Sequence, residues 1–223
     1  MREGRQVLRS VLRRLTPANV NNIYHRTRKR LGHDAHEIVS PTTLRHVGRY
    51  LFASELVKGL DVLDVACGSG YGSLVLKETG SYRGIDVDPG AIRQARESFP
   101  GGRYILGSIY QLPQGDGVMG AVVSFETLEH VDKPERLVAE IARVLKPGGV
   151  LVGSIPINHP DRVYHHRPYT AAEAAAIFMS SPFLMVRDFF VQDDMMFTRG
   201  TREWIEENAA TGALIAVMEN VQL

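Results

Sequence analysis

The sequence predicts an α/β protein with a doubly wound, mostly parallel sheet. Short apolar runs typical of buried strands alternate with helical segments between residues 61 and 155. A glycine-rich turn at 67–72 follows the first apolar run, and the acid Asp86 ends the second. A chain of 223 residues with 44% hydrophobic content is long enough to bury one sizeable core.

Each element follows from the same patterns. We expect a helix from Pro41 to about Val57, because apolar residues recur there at helical spacing. Asp88 is expected to be a turn residue or the N-cap of the helix near 89–98. The predicted strands are 61–66, 82–86, 103–107, 119–125 and 149–155, with helices near 71–79, 89–98 and 133–145. Because strand and helix alternate, these five strands should be parallel.

The last third of the chain is less regular. Thr170 is typical of an N-cap and predicts a helix over 171–179. Apolar runs predict two further strands, 183–191 and 213–221, and a short helix is expected between them at 201–208.

Charge divides the chain into two parts. Residues 1–33 hold nine Lys/Arg against one acid, Glu3, so this head carries about +8 and the remainder about −7. Its apolar residues recur at helical spacing among arginines, which predicts a basic amphipathic helix in an N-terminal extension, 1–40, before a domain at 41–223. This helix could dock on the domain, join a second subunit in a homo-oligomer, bind an anionic membrane surface, or belong to a transit peptide.

The remaining composition bears on location. No apolar run is long enough to span a bilayer, so we expect a soluble, cytoplasmic protein, at most peripheral to a membrane. The single cysteine, Cys67, cannot form an intramolecular disulfide, and we expect it to pack inside the glycine turn without thiol chemistry.

The glycine turn and Asp86 predict a nucleotide-like cofactor. Glycine at 68, 70 and 72 allows a sharp turn and a close approach of the backbone to a ligand, and the carboxylate of Asp86 can accept both hydroxyls of a ribose. A nicotinamide-binding turn has the pattern Gly-x-Gly-x-x-Gly or ends in Ala. This chain instead has Gly-x-Gly-x-Gly.

Four motifs together resemble one family. They are Val62–Gly72, Gly84–Asp88, Ser124–Val131 and Arg143–Gly149, in the order and spacing of the class I S-adenosylmethionine-dependent methyltransferases, specifically the small "type 11" members. The resemblance implies a Rossmann-like seven-stranded sheet with an antiparallel C-terminal edge hairpin, and a lid helix at 41–57. It also implies S-adenosylmethionine as cofactor, with S-adenosylhomocysteine as product.

The resemblance assigns cofactor contacts residue by residue. Asp64 would hold the ammonium group or brace the loop through backbone N–H groups, Asp86 would bind the ribose, and Val87 would flank the adenine. Ser108 stands where the family often has an acid and would give a weaker hydrogen bond. The full predicted set is Asp64, Ala66, Gly68, Gly70, Gly72, Asp86, Val87, Ser108, Ile109 and Glu126.

Candidate catalytic residues follow the fourth strand. His130 is the predicted general base, because a neutral imidazole can take a proton from a hydroxyl group near pH 7. Glu129 is the alternative, and His130 could instead only brace the next helix. His165, His166 and Tyr169 are predicted to contact the substrate. The adjacent histidines point to opposite faces and have no accompanying carboxylates, so we expect no metal.

The prediction of the methyl acceptor rests on resemblance alone. Arg49–Ala53 and the motifs above resemble methyltransferases of saccharides and cell-surface glycans, which implies O-methylation of a sugar or another small hydroxylated compound. Two alternatives are an RNA or protein methyltransferase and a non-catalytic binding or assembly protein. A nucleic-acid partner is disfavoured because Phe125–Leu128 lacks an Asn-Pro-Pro-Tyr-like motif.

Overall fold

A computed structural model describes residues 41–159, 167–193 and 196–222 of the chain. The helices are α1 (Pro41–Leu56), α2 (Gly72–Val75), α3 (Pro89–Ser98), α4 (Pro134–Val144), α5 (Ala171–Phe178) and α6 (Arg202–Asn208), with a 3-10 turn at Leu128–His130. The strands are β1 (Asp61–Val65), β2 (Ser81–Asp86), β3 (Arg103–Leu106), β4 (Met119–Ser124), β5 (Leu145–Ile157), β6 (Leu184–Asp193), β7 (Met196–Gly200) and β8 (Gly212–Asn220).

The strands form one sheet with the order β3-β2-β1-β4-β5-β8-β6-β7. The first five are parallel, and β8 inserts antiparallel between β5 and β6. β7 then pairs antiparallel with β6 at the edge. The carboxyl ends of β1, β2, β4, β5 and β6 therefore lie along the same edge of the sheet, where ligands bind in open α/β sheets.

Helices cover both faces of the sheet. On one face, Phe52 and Ala53 of α1 and Val57 just after it pack on the central strands through residues such as Val123 and Ile215. On the other face, α4 and α5 join a larger cluster that includes Leu137, Val138 and Ile141 of α4. Both layers exclude water from the parallel strands, which explains why those strands are apolar on both sides.

Most predicted elements are confirmed. The mostly parallel sheet, the helices over 89–98 and 171–178, the short helix near 201–208 and the caps at Asp88 and Thr170 all occur. The Thr170 hydroxyl accepts from the Glu173 N–H at 3.2 Å while Glu173 accepts from the Thr170 N–H at 2.8 Å, a reciprocal capping box.

Three details differ from the prediction. The sheet has eight strands rather than seven among the described residues, because Met196–Gly200 adds an edge strand. The second helix is only Gly72–Val75, shorter than expected over 71–79. The fifth strand begins at Leu145 rather than at 149, because the backbone is already extended directly after α4.

The predicted basic extension at 1–40 lies outside the described residues, as do His165 and His166. No helix in the described part of the chain is long and apolar enough to cross a membrane.

Candidate active site

The glycine turn after β1 is shaped by positions that only glycine fills easily. Gly68 and Gly70 have φ angles of +53° and +82°, in the left-handed region. A Cβ on Gly70 would lie 2.7 Å from the Ala95 Cβ and from the Tyr104 ring, whereas a Cβ on Gly68 would meet no atom within 4 Å. The turn is therefore tightly packed at Gly70 and open at Gly68. A backbone loop that binds a ligand needs both a firm support and an open side.

Asp86 is tied to this turn. One carboxylate oxygen accepts the Gly68 N–H at 2.8 Å, and the other accepts the Asp88 N–H at 2.9 Å. These bonds fix the carboxylate at the end of β2, beside the open side of the turn. Each oxygen retains further acceptor capacity. The predicted ribose acid and the predicted glycine turn thus meet in one place.

Asp64 has different partners from those predicted. Its carboxylate is fully buried and accepts hydrogen bonds from Tyr50 Oη at 3.0 and 3.1 Å and from Tyr82 Oη at 2.6 Å. The predicted bracing by backbone N–H groups is corrected: two tyrosine hydroxyls hold Asp64. Burial raises its pKa to about 7, the two tyrosine hydrogen bonds oppose that shift, and Asp86 adds to it.

The predicted adenine contacts lie at the ends of β2 and β3. Val87 directly follows Asp86 and is 72% exposed, so its side chain is free to contact a planar ring. Ser108 Oγ accepts the Tyr110 N–H at 3.2 Å and so helps to form a local turn. Ile109 packs against the larger core cluster, a position that supports the loop.

Glu126 follows β4 and is held by several contacts. Its backbone is in the left-handed region, with φ of +49°. Its N–H donates to Ser154 Oγ at 3.1 Å, and the same hydroxyl donates to Glu126 Oε1 at 2.9 Å. Arg49 Nη1 lies 3.1 Å from Oε1, and Arg49 Nε donates to Gln192 Oε1 at 2.7 Å. Helix α1 is thereby joined to β4, β5 and β6.

Glu129 and His130 occupy the 3-10 turn beyond β4. Glu129 is fully buried, and neither carboxyl oxygen has a hydrogen-bond partner among the described residues. Burial, with a smaller effect from Glu126, raises its pKa well above the ordinary value, because both disfavour the charged carboxylate. His130 Nε2 lies 3.6 Å from Glu129 Oε1, and the imidazole is 40% exposed. Glu129 is therefore enclosed, whereas the His130 imidazole is reachable from solvent.

A polar cavity of about 240 Å³ lies between α1 and the carboxyl ends of the strands. Six polar side chains of its lining are His46, Arg49, Glu126, Asn158, His159 and Gln192. Burial, Arg49 and Arg45 lower the pKa of His46 to about 4 against an opposing effect of Glu126, so this imidazole is neutral at pH 7. We call this space the polar pocket.

Sequence reasoning missed several residues of this region. The residues that were not predicted to contribute are Tyr50, Tyr82, Arg49, Ser154 and Gln192. Ser154 does carry a signal, because it is a polar residue inside the apolar run 150–157. Buried polar groups of this kind need partners. Tyr169 is buried, with its ring beneath the Arg167 guanidinium at 4.5 Å. It is absent from the polar-pocket lining.

Burial also bears on thiol and metal chemistry. Burial raises the pKa of the Cys67 thiol, and Asp64 and Asp86 raise it further, so the thiolate is disfavoured. In the ranges that the structure describes, no three His, Cys, Asp or Glu side chains are grouped to hold a metal ion.

Comparison with known proteins agrees with this geometry. A family described as "Methyltransferase domain" matches residues 63–153. A protein of Mycolicibacterium smegmatis (strain ATCC 700084 / mc(2)155), named "Probable S-adenosylmethionine-dependent methyltransferase", is 30% identical over 148 residues, 62% of this chain and 58% of the relative. A Mycobacterium tuberculosis relative with a similar name is matched over 49% of its length. The chain thus spans about half the length of the curated relatives it matches.

Two solved structures share the fold. The N-methyltransferase NodS from Bradyrhizobium japonicum WM9, in complex with S-adenosyl-L-homocysteine, has a TM-score of 0.65 at 18% identity, over 89% of this chain and 98% of that one. A Haloferax volcanii methyltransferase in complex with the Trm112 activator has a TM-score of 0.64 at 23% identity, over 80% of this chain and 91% of that one. Identities this low establish the fold alone.

The glycine turn, the acid at the end of β2 and the matched domain define a class of nucleotide-cofactor enzymes. Residues 63–153 match the methyltransferase-domain family, and relatives that match the chain are named S-adenosylmethionine-dependent methyltransferases.

The buried carboxylate of Asp64 predicts a pH effect on stability. With a folded pKa near 7 and an unfolded pKa near 4, the folded chain holds more protons between these values, so this group lowers stability as pH rises from about 4 to 7. Asp64→Asn removes the titration but leaves a carbonyl acceptor for a tyrosine. Relative to wild type, we expect the variant to gain about 3 kcal/mol in unfolding free energy between pH 5 and 8, measured by urea denaturation. A difference independent of pH would mean that Asp64 titrates normally.

The packing beneath the turn predicts a steric effect at Gly70. A valine there would need the left-handed backbone and would clash with Ala95 and Tyr104, so we expect Gly70→Val to lose about 2–4 kcal/mol of stability. Thermal unfolding measures this loss. Gly101→Val is the matched control, because a Cβ there meets no atom within 4 Å. Equal effects of the two substitutions would contradict the proposed cradle.

Proposed function

We propose that this chain transfers the methyl group of S-adenosylmethionine to a hydroxyl group of a small acceptor, with a sugar as the preferred class. The observation that carries the proposal is that a candidate cofactor site and a polar pocket lie along the same edge of the sheet. The glycine turn and Asp86 lie at one side, and the polar pocket with Glu126 lies at the other.

The residues of the turn fit the cofactor. Asp86 is fixed to accept hydrogen bonds from a ribose diol, the open backbone at Gly68 allows close approach, and Val87 offers apolar contact to adenine. When bound, the cofactor supplies an activated methyl group on sulfur. The protein's part is then to orient an acceptor oxygen in line with that methyl group, to exclude water and to remove the proton.

The polar pocket supports a hydroxylated acceptor. Its lining combines two arginines, two carboxylates, two amides and the neutral imidazole of His46, which together supply both donors and acceptors. Small-molecule sites use a few such placed polar groups to fix orientation. His130 is the proposed base, since its imidazole is partly exposed, whereas Glu129 is fully buried in surroundings that raise its pKa.

The cofactor assignment predicts a selective stabilisation. At a concentration a hundred times its dissociation constant, S-adenosylmethionine or S-adenosylhomocysteine should add ~2.7 kcal/mol, or roughly 5–11 °C in melting temperature. Asp86→Ala should remove most of this shift. Asp88→Ala is the control, because it removes only the N-cap contact to Gly90 and should lower the melting temperature of apo and bound protein equally. The proposal would be rejected if NAD raised the melting temperature and neither S-adenosylmethionine nor S-adenosylhomocysteine did.

The proposed base predicts a kinetic effect. In an assay that measures methylation of a sugar acceptor, His130→Ala should lower kcat by about 10²–10⁴. The affinity for S-adenosylhomocysteine should stay within a few-fold of wild type. If turnover stays within a few-fold of wild type, His130 only braces the turn.

A further inference from the structure

The residues at the end of three strands share an unusual backbone conformation. Within the described ranges, the non-glycine residues with positive φ are Ala66, Glu126 and Asn158, which directly follow β1, β4 and β5 or lie one residue beyond. A non-glycine residue in this region costs about 1–3 kcal/mol and persists where the surroundings fix it, commonly at ligand sites. Glu126 and Asn158 both line the polar pocket.

The left-handed backbone conformation is less favourable for Glu126 than for Asn158. Asparagine adopts the left-handed region comparatively readily, whereas glutamate does so rarely. Ser154 holds both the N–H and the Oε1 atom of Glu126, and Arg49 also faces Oε1. None of these three contacts involves Glu126 Oε2. The Glu126 side chain is 18% exposed and lines the pocket. The arrangement orients one carboxylate oxygen inward and keeps the other for a ligand.

Arg49 complements this carboxylate. Its side chain is 5% exposed, yet Nη1 has no well-directed hydrogen bond and makes only the ion-pair contact to Glu126. The guanidinium cannot turn freely because its Nε donates to Gln192, whose own amide group donates to the Arg45 carbonyl at 3.1 Å. A buried donor left without a partner is costly, so a ligand oxygen in the pocket would satisfy it.

We propose that Arg49 and Glu126 form the acceptor-binding pair of the polar pocket and recognise a vicinal diol. Glu126 Oε2 accepts a hydrogen bond from one hydroxyl group, and Arg49 Nη1 donates to the oxygen of the next. Gln192 and Ser154 are positioning residues for this pair. The pair deepens the proposed function and rests on it. With His46 neutral, the arginines Arg45 and Arg49 of the lining are matched in number by the carboxylates Glu126 and Asp193, which suits an uncharged polyhydroxyl acceptor.

The experiment uses the full chain with S-adenosylmethionine and a panel of methyl glycosides with vicinal diols, each matched to an analogue that lacks one of the two hydroxyl groups. Formation of S-adenosylhomocysteine reports transfer, and calorimetry with S-adenosylhomocysteine alone reports cofactor binding. We expect at least one diol glycoside to be methylated and its deoxy analogue to react about 10- to 100-fold less well in kcat/KM.

Glu126→Gln and Arg49→Lys test the pair itself. Each keeps size and polarity but removes the inward charge or the guanidinium fork, so we expect a loss of about 10- to 100-fold in kcat/KM for the diol glycoside, with cofactor affinity within threefold. Glu219→Gln and Arg187→Lys, on an exposed ion pair of β8 and β6, are the controls and should change neither quantity. Melting temperatures identify a variant that fails to fold, and the other variant then decides.

Three outcomes would overturn the proposal. The first is normal kcat/KM in both variants. The second is a loss of cofactor affinity in either folded variant, which would assign the pair to the cofactor. The third is failure of every diol glycoside while S-adenosylhomocysteine still binds. Only the absence of cofactor binding in the unaltered protein would reject the proposed function as well.

Discussion

The hydrogen bonds from Tyr50 and Tyr82 to the buried carboxylate of Asp64 position the rest of the site. Asp64 lies at the end of β1, Tyr82 on β2 and Tyr50 on α1, so one side chain joins three elements directly below the glycine turn. A Cβ on Gly72 would lie 2.7 Å from Asp64 Oδ2, which shows how closely the turn rests on this cluster. Without partners, a carboxylate at such a depth would be strongly destabilising.

The position of α1 determines the second half of the site. Because Tyr50 holds α1 to Asp64, the preceding residue Arg49 is placed at the carboxyl ends of β4 and β6, where it meets Glu126 and Gln192. Edge-to-face contacts of the Tyr50 ring with Tyr71 and Phe125 reinforce this placement, with ring centroids 5.4 and 5.0 Å apart. The glycine turn and the polar pocket are thus coupled through Arg49 and Tyr50, two adjacent residues of α1. A rearrangement of α1 would therefore alter both.

The sequence allowed prediction of those features that depend on local chemistry. Glycine spacing, the acid after β2, the caps at Asp88 and Thr170 and the alternation of strands and helices each have a short-range physical cause, and the structure contains them. Strand β7 was missed because it is short and mostly exposed, so it lacks the apolar alternation that marks a half-buried strand. Partners of Asp64 were also missed, since Tyr50 and Tyr82 lie 14 and 18 residues away and meet it only through tertiary packing.

Glu126 and Glu129 illustrate why residue type and spacing do not settle chemical roles. They lie one helical turn apart in sequence, but Glu126 has a guanidinium and a hydroxyl group on Oε1, while Glu129 is enclosed without hydrogen-bond partners among the described residues. Burial raises the pKa of Glu129 and so favours its neutral acid, whereas Glu126 lies beside a cation and a hydroxyl donor. The same side chain therefore serves as a hydrogen-bond acceptor at one position and as a buried neutral group at the other. That division follows from Arg49, a residue 77 positions before Glu126, and so from the packing of α1 on the sheet.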